Sequence, residues 1–498
     1  MNNPLYDTMF APHAGKDTPF LYLPEGGIIT HGAFVERAAQ LAHALVSLSV
    51  HSGDRVAVQV EKCADMLALY AACAQLGAIF LPLNTAYTAA ELSYFVSDSG
   101  AALLVGDPAR SDELRPVADA AGAVFATLDA KGGSLSDVAD AQATSFDTIE
   151  RHEDDLAAFL YTSGTTGRSK GAMLSQKNLI SNARTLTELW QFTADDVLLH
   201  ALPIFHTHGL FVASNVMLMS GGAMVFLPKL DIDALVAWMP RATSMMGVPT
   251  FYTRLLDDAR FDRDLAANMR LFISGSAPLL ADTHVAFEVR TGHRILERYG
   301  MTETNMNTSN PYEGARRAGT VGLPLPDVEL RIADADGVEL PHGETGVVEV
   351  RGDNVFLGYW NMPEKTEEEM REDGFFITGD LGVQDADGYV TIVGRGKDLI
   401  ISGGYNIYPK ELELLMDAQD GVLESAVIGV PHDDLGEVPL AVLVPQAGTQ
   451  IDLEMVKENA ATALARFKQP REYRILEALP RNTMGKVQKV ALRAQFGA

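Results

Sequence analysis

Two cysteines in 498 residues, Cys63 and Cys73, leave no disulfide framework for the fold to rest on. They share one helix-patterned segment at a spacing that does not stack them on adjacent turns, which predicts two buried, reduced thiols in a cytoplasmic protein. Positive charge is equally scarce: 39 Lys and Arg against 66 Asp and Glu give a net charge of −27. A surface of that sign repels nucleic-acid backbones and anionic membranes, so neither is expected as a partner. Any anionic substrate must be met by cations gathered locally. The N-terminus has no basic run ahead of an apolar core, so no signal peptide is expected. The longest charge-free apolar stretch, 210–228, is broken by Ser220-Gly221-Gly222 into a helix and a strand, each too short to cross a bilayer. No repeat at solenoid or propeller periods occurs.

What is present is an alternation. Thr30 caps a helix reaching about Val50, and 55–60 reads as a short strand. A second helix, about 63–76, stops at Gly77 before a strand at 78–83; Thr88 caps a third, followed by a strand at 101–105. Helix and strand taking turns imply an α/β fold of parallel sheets covered by helices. The stretch 132–142 is small, polar and weakly patterned, which predicts a surface connection. Ser175 caps a helix whose Leu179, Ile180, Ala183, Leu186 and Trp190 share a face. From Gly319 to Gly394 short strands alternate with Asp-Gly turns, the signature of a small antiparallel or barrel-like layer. A boundary is expected at 394–398, giving a large domain 1–396 and a small α+β domain 397–498.

The chemistry begins at 161–171, YTSGTTGRSKG, directly after the apolar run 156–160. Glycines let a backbone approach a ligand and turn its N–H groups inward, while hydroxyls and Lys170 add donors and charge, as a polyphosphate requires. The common P-loop would place Gly-Lys where this chain has Ser169-Lys170.

Six motifs follow one another: that loop, RYGMTE at 298–303, TGD at 378–380, GRGKD at 394–398, SGGYN at 402–406 and PRNTMGK at 480–486. In this order, across nearly the whole chain, they resemble the adenylate-forming superfamily of acyl-CoA synthetases, adenylation domains and luciferases. HALPIFHTHGLF at 200–211, LFISGSAPLLADTH at 271–284 and ERYGMTETNMNTSNPY at 297–312 most resemble malonyl-CoA synthetases. The resemblance implies that a carboxylate attacks the α-phosphate of ATP and that the thiol of coenzyme A then displaces AMP. It places Thr162, Ser163, Gly164, Thr165, Thr166, Gly167 and Lys170 on the β- and γ-phosphates, Thr302 on the α-phosphate, and Mg²⁺ on Glu303. Tyr299, with Gly300 beside it, would lie against adenine, facing Gly275, Ser276 and Ala277. Asp380 and Arg395 would reach the ribose. Lys486 would bridge the attacking carboxylate and the phosphate, with Lys489 a nearby decoy. The small domain would swing about Lys397 between the half-reactions, and Gly403 and Gly404 would line the pantetheine tunnel.

For the acyl group, the resemblance puts His206 at the pocket mouth, with Thr207, His208, Ser276 and Met306 near it. Arg298 stands where many relatives carry glutamine. A guanidinium facing that pocket is costly to bury without an anion, and a second substrate carboxylate would supply one. An ion pair with Glu297 or Glu288 would be the structural alternative. A short dicarboxylate, malonate, is therefore the expected substrate, with methylmalonate or another short acid as the alternative. A silent nucleotide-binding regulator on the same fold is the reading from another class, and a stand-alone adenylation module that loads a carrier protein is a further one. One departure stands out: Gln176 replaces the histidine that many relatives carry after the phosphate loop.

Overall fold

A computed structural model describes residues 2–24, 26–162, 169–402, 405–432, 435–464, 466–482 and 485–497. The chain forms two compact units: 1–329 with 351–376, and 330–350 with 377–498. The strand-rich segment 330–350 thus groups with the C-terminal residues, whereas the sequence reading set the boundary at 396.

Among the described residues, the first unit is built on two sheets. The seven-stranded sheet runs, in spatial order, Gly358–Tyr359, Lys170–Ser175, Leu156–Thr162, Ile79–Pro82, Arg55–Gln59, Leu103–Gly106 and Val124–Thr127. Its core is parallel, and Lys170–Ser175 pairs antiparallel on both sides. The nine-stranded sheet has a parallel centre, Leu271–Ser274, Ser244–Gly247, Val197–His200 and Ala223–Phe226, with antiparallel strands toward its edges. The helices begin where the caps predict. Thr30 accepts from the Ala33 N–H ahead of His31–Ser47, and Thr88 forms a reciprocal capping box with Glu91 at the start of Ala89–Ser99. The helix Ala64–Leu76 is buried on all sides from Met66 to Leu76, as a helix apolar all round must be. Cys63 and Cys73 are buried there and free. Gln176, the departure noted in the sequence, is buried, and its Oε1 accepts from the Leu5 N–H at 2.9 Å, tying down the N-terminus.

Two expectations need correction. The stretch 132–142 is not a bare connection, because Ser134–Asp140 is a helix that buries Leu135 and Ala139, four residues apart on one face. In 210–228 the break falls as expected, between the helix Asn215–Ser220 and the strand Ala223–Phe226, but a π-helical turn, His208–Ser214, precedes them.

Strands Val328–Ala333, Thr345–Gly352, Phe376–Gln384 and Val390–Arg395, most of whose residues belong to the second unit, form a four-stranded sheet. A further sheet centres on the antiparallel pair Val422–His432 and Gly436–Pro445. Its period-two alternation sorts two cores. Val427, Ala441 and Leu443 pack under the helices Pro409–Asp417 and Leu453–Ala463. Ala426, Ile428, Leu440 and Val442 face Leu492 of the helix Lys489–Phe496.

Candidate active site

The motif 298–303 lies on a hairpin. Strand Leu296–Met301 pairs antiparallel with Asn305–Ser309, with a register shift between Tyr299 and Gly300. Thr302, Glu303 and Thr304 form the tip. A side chain at 300 would put its Cβ 1.9 Å from the Asn305 carbonyl oxygen and 2.7 Å from Met306, so only glycine fits. Asn182 clamps the return strand, its Nδ2 donating to the Met306 carbonyl at 2.9 Å, and Asn354 Nδ2 donates to the Thr304 carbonyl at 2.7 Å. Tyr299 is half-buried, and Met306 is buried beside Gly300.

Arg298 is 4% exposed. Its Nε and Nη2 have no hydrogen-bond partner among the described residues. Burial pushes its pKa down to about 9, with only Tyr252 acting in the opposite direction. Neither acid proposed as a partner neutralises it. Glu297 lies 3.5 Å from His284 and accepts from the Gly319 N–H, while Glu288 pairs with Arg294 at 2.7 Å. The guanidinium lies across Gly275: a Cβ there would sit 2.3 Å from Arg298 Cζ. Ser276, next in the chain, holds a left-handed backbone (φ 71°), and its Oγ is 3.1 Å from His208 Nδ1. Burial, then Arg298, hold His208 well below the ordinary imidazole pKa, so its ring is neutral. His208 Nε2 and the buried Thr207 Oγ1 likewise have no partner among the described residues. His206, half-buried, accepts from the His208 N–H at its Nδ1. Arg298, Thr207 and His208 thus form a buried group with unsatisfied polar atoms, and Ser276, bonded to His208, stands beside it. Such groups cost free energy unless an acceptor meets them, and a carboxylate is the acceptor that satisfies several at once.

On the phosphate side, Thr162 and Lys170 are register partners at the ends of antiparallel strands. Ser163, Gly164, Thr165, Thr166 and Gly167, which connect them, lie outside the described residues. Lys170 Nζ is 3.1 Å from Glu369 Oε1 and 3.9 Å from the centre of the Tyr359 ring. The Tyr359 hydroxyl is 2.6 Å from Glu369 Oε2 and 3.2 Å from Glu303 Oε1. One hydroxyl proton serves two carboxylates, and both, after burial, raise the tyrosine pKa. Glu303 is 5% exposed and offers hard oxygen donors. No group of three or more metal-ligating side chains occurs among the described residues. A lone carboxylate of this kind would suit Mg²⁺, which takes one or two protein carboxylates and completes its shell with phosphate and water. A polyphosphate arriving at Lys170 would compete with Glu369 for the same ammonium.

In the second unit, Asp380 and Arg395 are register partners on adjacent strands and form an ion pair at 2.7 Å. Lys397 is exposed on the turn Gly396–Asp398. Gly403 and Gly404 lie outside the described residues. Lys486 sits on a tight turn: its N–H donates to Asn482 Oδ1 and its carbonyl accepts from the Asn482 N–H, both at 2.9 Å. Arg481 braces that turn by donating to the Gly485 carbonyl. Lys489 is 2.5 Å from the buried Glu413, which gives it a structural task and separates it from Lys486.

A family model described as AMP-binding enzyme matches residues 11–360, and one described as AMP-binding enzyme C-terminal domain matches 411–486. The chain belongs to the AMP-binding enzyme family. Within that family it is similar to ATP-bound MatB from Rhodopseudomonas palustris, 54% identical with a TM-score of 0.97 over 100% of this chain and 99% of that one. It is 36% identical over 479 residues to a malonate–CoA ligase of Arabidopsis thaliana, covering 89% of this chain and 78% of the relative. It is also 36% identical over 482 residues to a feruloyl-CoA synthase of an Amycolatopsis species, covering 95% of each. Curated relatives equally similar in sequence therefore carry names for different acids, and the residues of the acyl site must separate them. No helix among the described residues is long and apolar enough to cross a membrane.

Sequence reasoning missed Glu369, Tyr359 and Lys62. Glu369 meets Lys170 across 199 residues, and Lys62 meets His200 across 138, so no local pattern announces either. His200 opens the segment 200–211 quoted for the resemblance, and that was the one available signal.

Proposed function

We propose that the protein is an AMP-forming malonate–CoA ligase, which joins malonate to coenzyme A through a malonyl adenylate and releases AMP and pyrophosphate. The observation that carries this reading is Arg298, a buried guanidinium with two unsatisfied donor nitrogens and no acidic partner among the described residues. A carboxylate accepting from Nε and Nη2 satisfies both and restores charge balance. His208 Nε2 and Thr207 Oγ1 add donors to the same end of the substrate. Malonate has that second carboxylate and acetate does not. With its far end clamped, the other carboxylate is oriented toward the α-phosphorus, which lowers the entropy cost of attack.

Its oxygen then forms the P–O bond as pyrophosphate leaves. Thr302 donates to the α-phosphate, and Lys170 and the loop 163–167 hold the β- and γ-phosphates. Glu303 would hold Mg²⁺, which when bound neutralises charge on the phosphates. Tyr299 and the turn 275–277 take the adenine, Asp380 and Arg395 the ribose. Lys486 places its ammonium on the developing charge at the carboxylate and phosphate. Gly403 and Gly404 admit the pantetheine arm after a domain movement about Lys397, and the coenzyme A sulfur adds to the acyl carbonyl as AMP departs. Thr207 and Met306 set whether a methyl group on the α-carbon is tolerated. Two free, buried thiols suit the reducing cytoplasm.

The test is pyrophosphate and AMP release with ATP and Mg²⁺ across malonate, methylmalonate, acetate and ferulate, with and without coenzyme A. Malonate should be preferred and should yield a thioester with free coenzyme A. Equal rates on acetate would overturn the reading of Arg298. Absence of pyrophosphate release would favour a silent regulator, and adenylation without thioester formation would favour a carrier-loading module.

A further inference from the structure

Lys62 lies just beyond the strand Arg55–Gln59 and is 8% exposed. Its Nζ is 2.8 Å from His200 Nδ1, 2.7 Å from the His200 carbonyl oxygen and 2.9 Å from that of Leu202. It also stands 4.3 Å from the centre of the Phe226 ring. All of these partners are neutral.

Proton accounting fixes the charge. His200 Nε2 is 2.9 Å from the Gly209 carbonyl oxygen, which only accepts, so Nε2 carries hydrogen. In a neutral ring Nδ1 is then an acceptor. Lys62 therefore faces three acceptors and donates three N–H bonds, which only an ammonium can do. Moving the proton to the ring would leave the same single positive charge on the pair. Burial opposes that charge, pushing Lys62 well below its ordinary pKa, and the three acceptors and the aromatic face offset part of the cost.

His200 is the link to the acyl site. The Gly209 carbonyl that it holds belongs to the π-helical turn His208–Ser214, and Ser214 Oγ donates to the same carbonyl at 2.9 Å. The turn is tight: a Cβ on Gly209 would meet the Pro203 carbonyl oxygen at 2.0 Å. The place of His208, and of Thr207 before it, therefore depends on the orientation of His200. A neutral residue would brace this turn without the cost of a buried charge. A cation here is favoured where an anion arrives nearby.

We propose that Lys62 is a positioning residue of the acyl site: acting through His200, it holds the turn that carries Thr207 and His208 and adds its charge to the potential Arg298 presents to the substrate's second carboxylate. This rests on the dicarboxylate reading above. In an interior of moderate effective dielectric, a charge about 10 Å from a carboxylate changes its binding roughly tenfold.

The experiment compares kcat/KM for malonate and for propionate, which lacks the second carboxylate, in the wild type, Lys62→Met, Lys62→Gln, Lys62→Arg and Arg298→Gln, with Tm measured for each. Lys62→Met and Lys62→Gln should lower the malonate-to-propionate ratio about tenfold, mainly through KM for malonate, with KM for ATP within about twofold of wild type. Lys62→Arg should retain most of the ratio. If Lys62→Met does not fold, the Gln and Arg variants decide: equal ratios in both would overturn the proposal. A ratio that collapses in Arg298→Gln but holds in the neutral Lys62 variants reduces Lys62 to a structural role and leaves the substrate reading standing. A wild type without preference for malonate removes both.

Discussion

Replacing Arg298 with glutamine tests the chemistry at its most exposed assumption. Burial lowers the guanidinium pKa to about 9, well below its ordinary value. A fall of that size corresponds to roughly 5 kcal/mol of disfavour for the charged form at neutral pH. The sign is that of a base depressed in the folded state: the penalty is fully present below the folded pKa and fades as pH rises toward the unfolded value. A carboxylate paired with the guanidinium recovers part of it, and breaking a buried pair typically costs about 3–5 kcal/mol, or roughly 10²- to 10⁴-fold in kcat/KM. Arg298→Gln should therefore lose about that factor on malonate while acetate and propionate change less than about fivefold. The ligand-free variant should also be more stable by about 1–3 kcal/mol, because it no longer buries an unpaired charge. The assays are AMP release with each acid and calorimetric unfolding with and without malonate, whose stabilising effect on the wild type should vanish in the variant. Malonate activity within about threefold of wild type, or a ligand-free Tm that falls, would refute the reasoning.

Lys486→Ala should slow pyrophosphate release by about 10²- to 10³-fold while thioester formation from supplied malonyl adenylate stays within a few-fold. Lys489→Met, which removes the nearer of the two lysines paired with Glu413, should instead lower Tm with adenylation largely intact. Asp417 is raised to about 6 by burial, with Glu413 adding and Ser425 and Lys410 opposing, so as pH rises through 4 to 6 the folded state loses stability on this account. Asp417→Asn should accordingly gain stability at pH 8 and little at pH 4, read by denaturant midpoints. The thiol of Cys63 is pushed up to about 12 and that of Cys73 higher still, both by burial. Native protein at pH 8 should resist alkylation, and denatured protein should take up two equivalents.

Where sequence signals are local, the structure follows them. Thr30, Thr88 with Glu91, and Ser175 each satisfy orphan N–H groups at a helix start, and a helix begins at each. Gly300 was readable within RYGMTE, and the structure supplies its reason in the close return of Asn305 and Met306. The helix Ser134–Asp140 escaped because only Leu135 and Ala139 mark its buried face amid small polar residues. The π-helical turn has no local signature, since its cause is the Gly209 carbonyl held by His200 and Ser214. Pairings that depend on assembly were out of reach: Lys170 with Glu369, Tyr359 with both carboxylates, Lys62 with His200. The partition at 330–350 was hidden for the same reason, because a strand declares its own period and not its neighbours. Arg298 could be read because one residue carried a charge that its place in the motif made expensive. That points to how a chain of net charge −27 accommodates a doubly charged acid. Its surface repels the substrate, so the attraction must come from cations held away from the protein's own carboxylates. Arg298 and Lys62 meet that condition, each buried and each without an acidic partner among the described residues. An acid placed beside either one would stabilise the ligand-free protein and weaken the hold on the substrate.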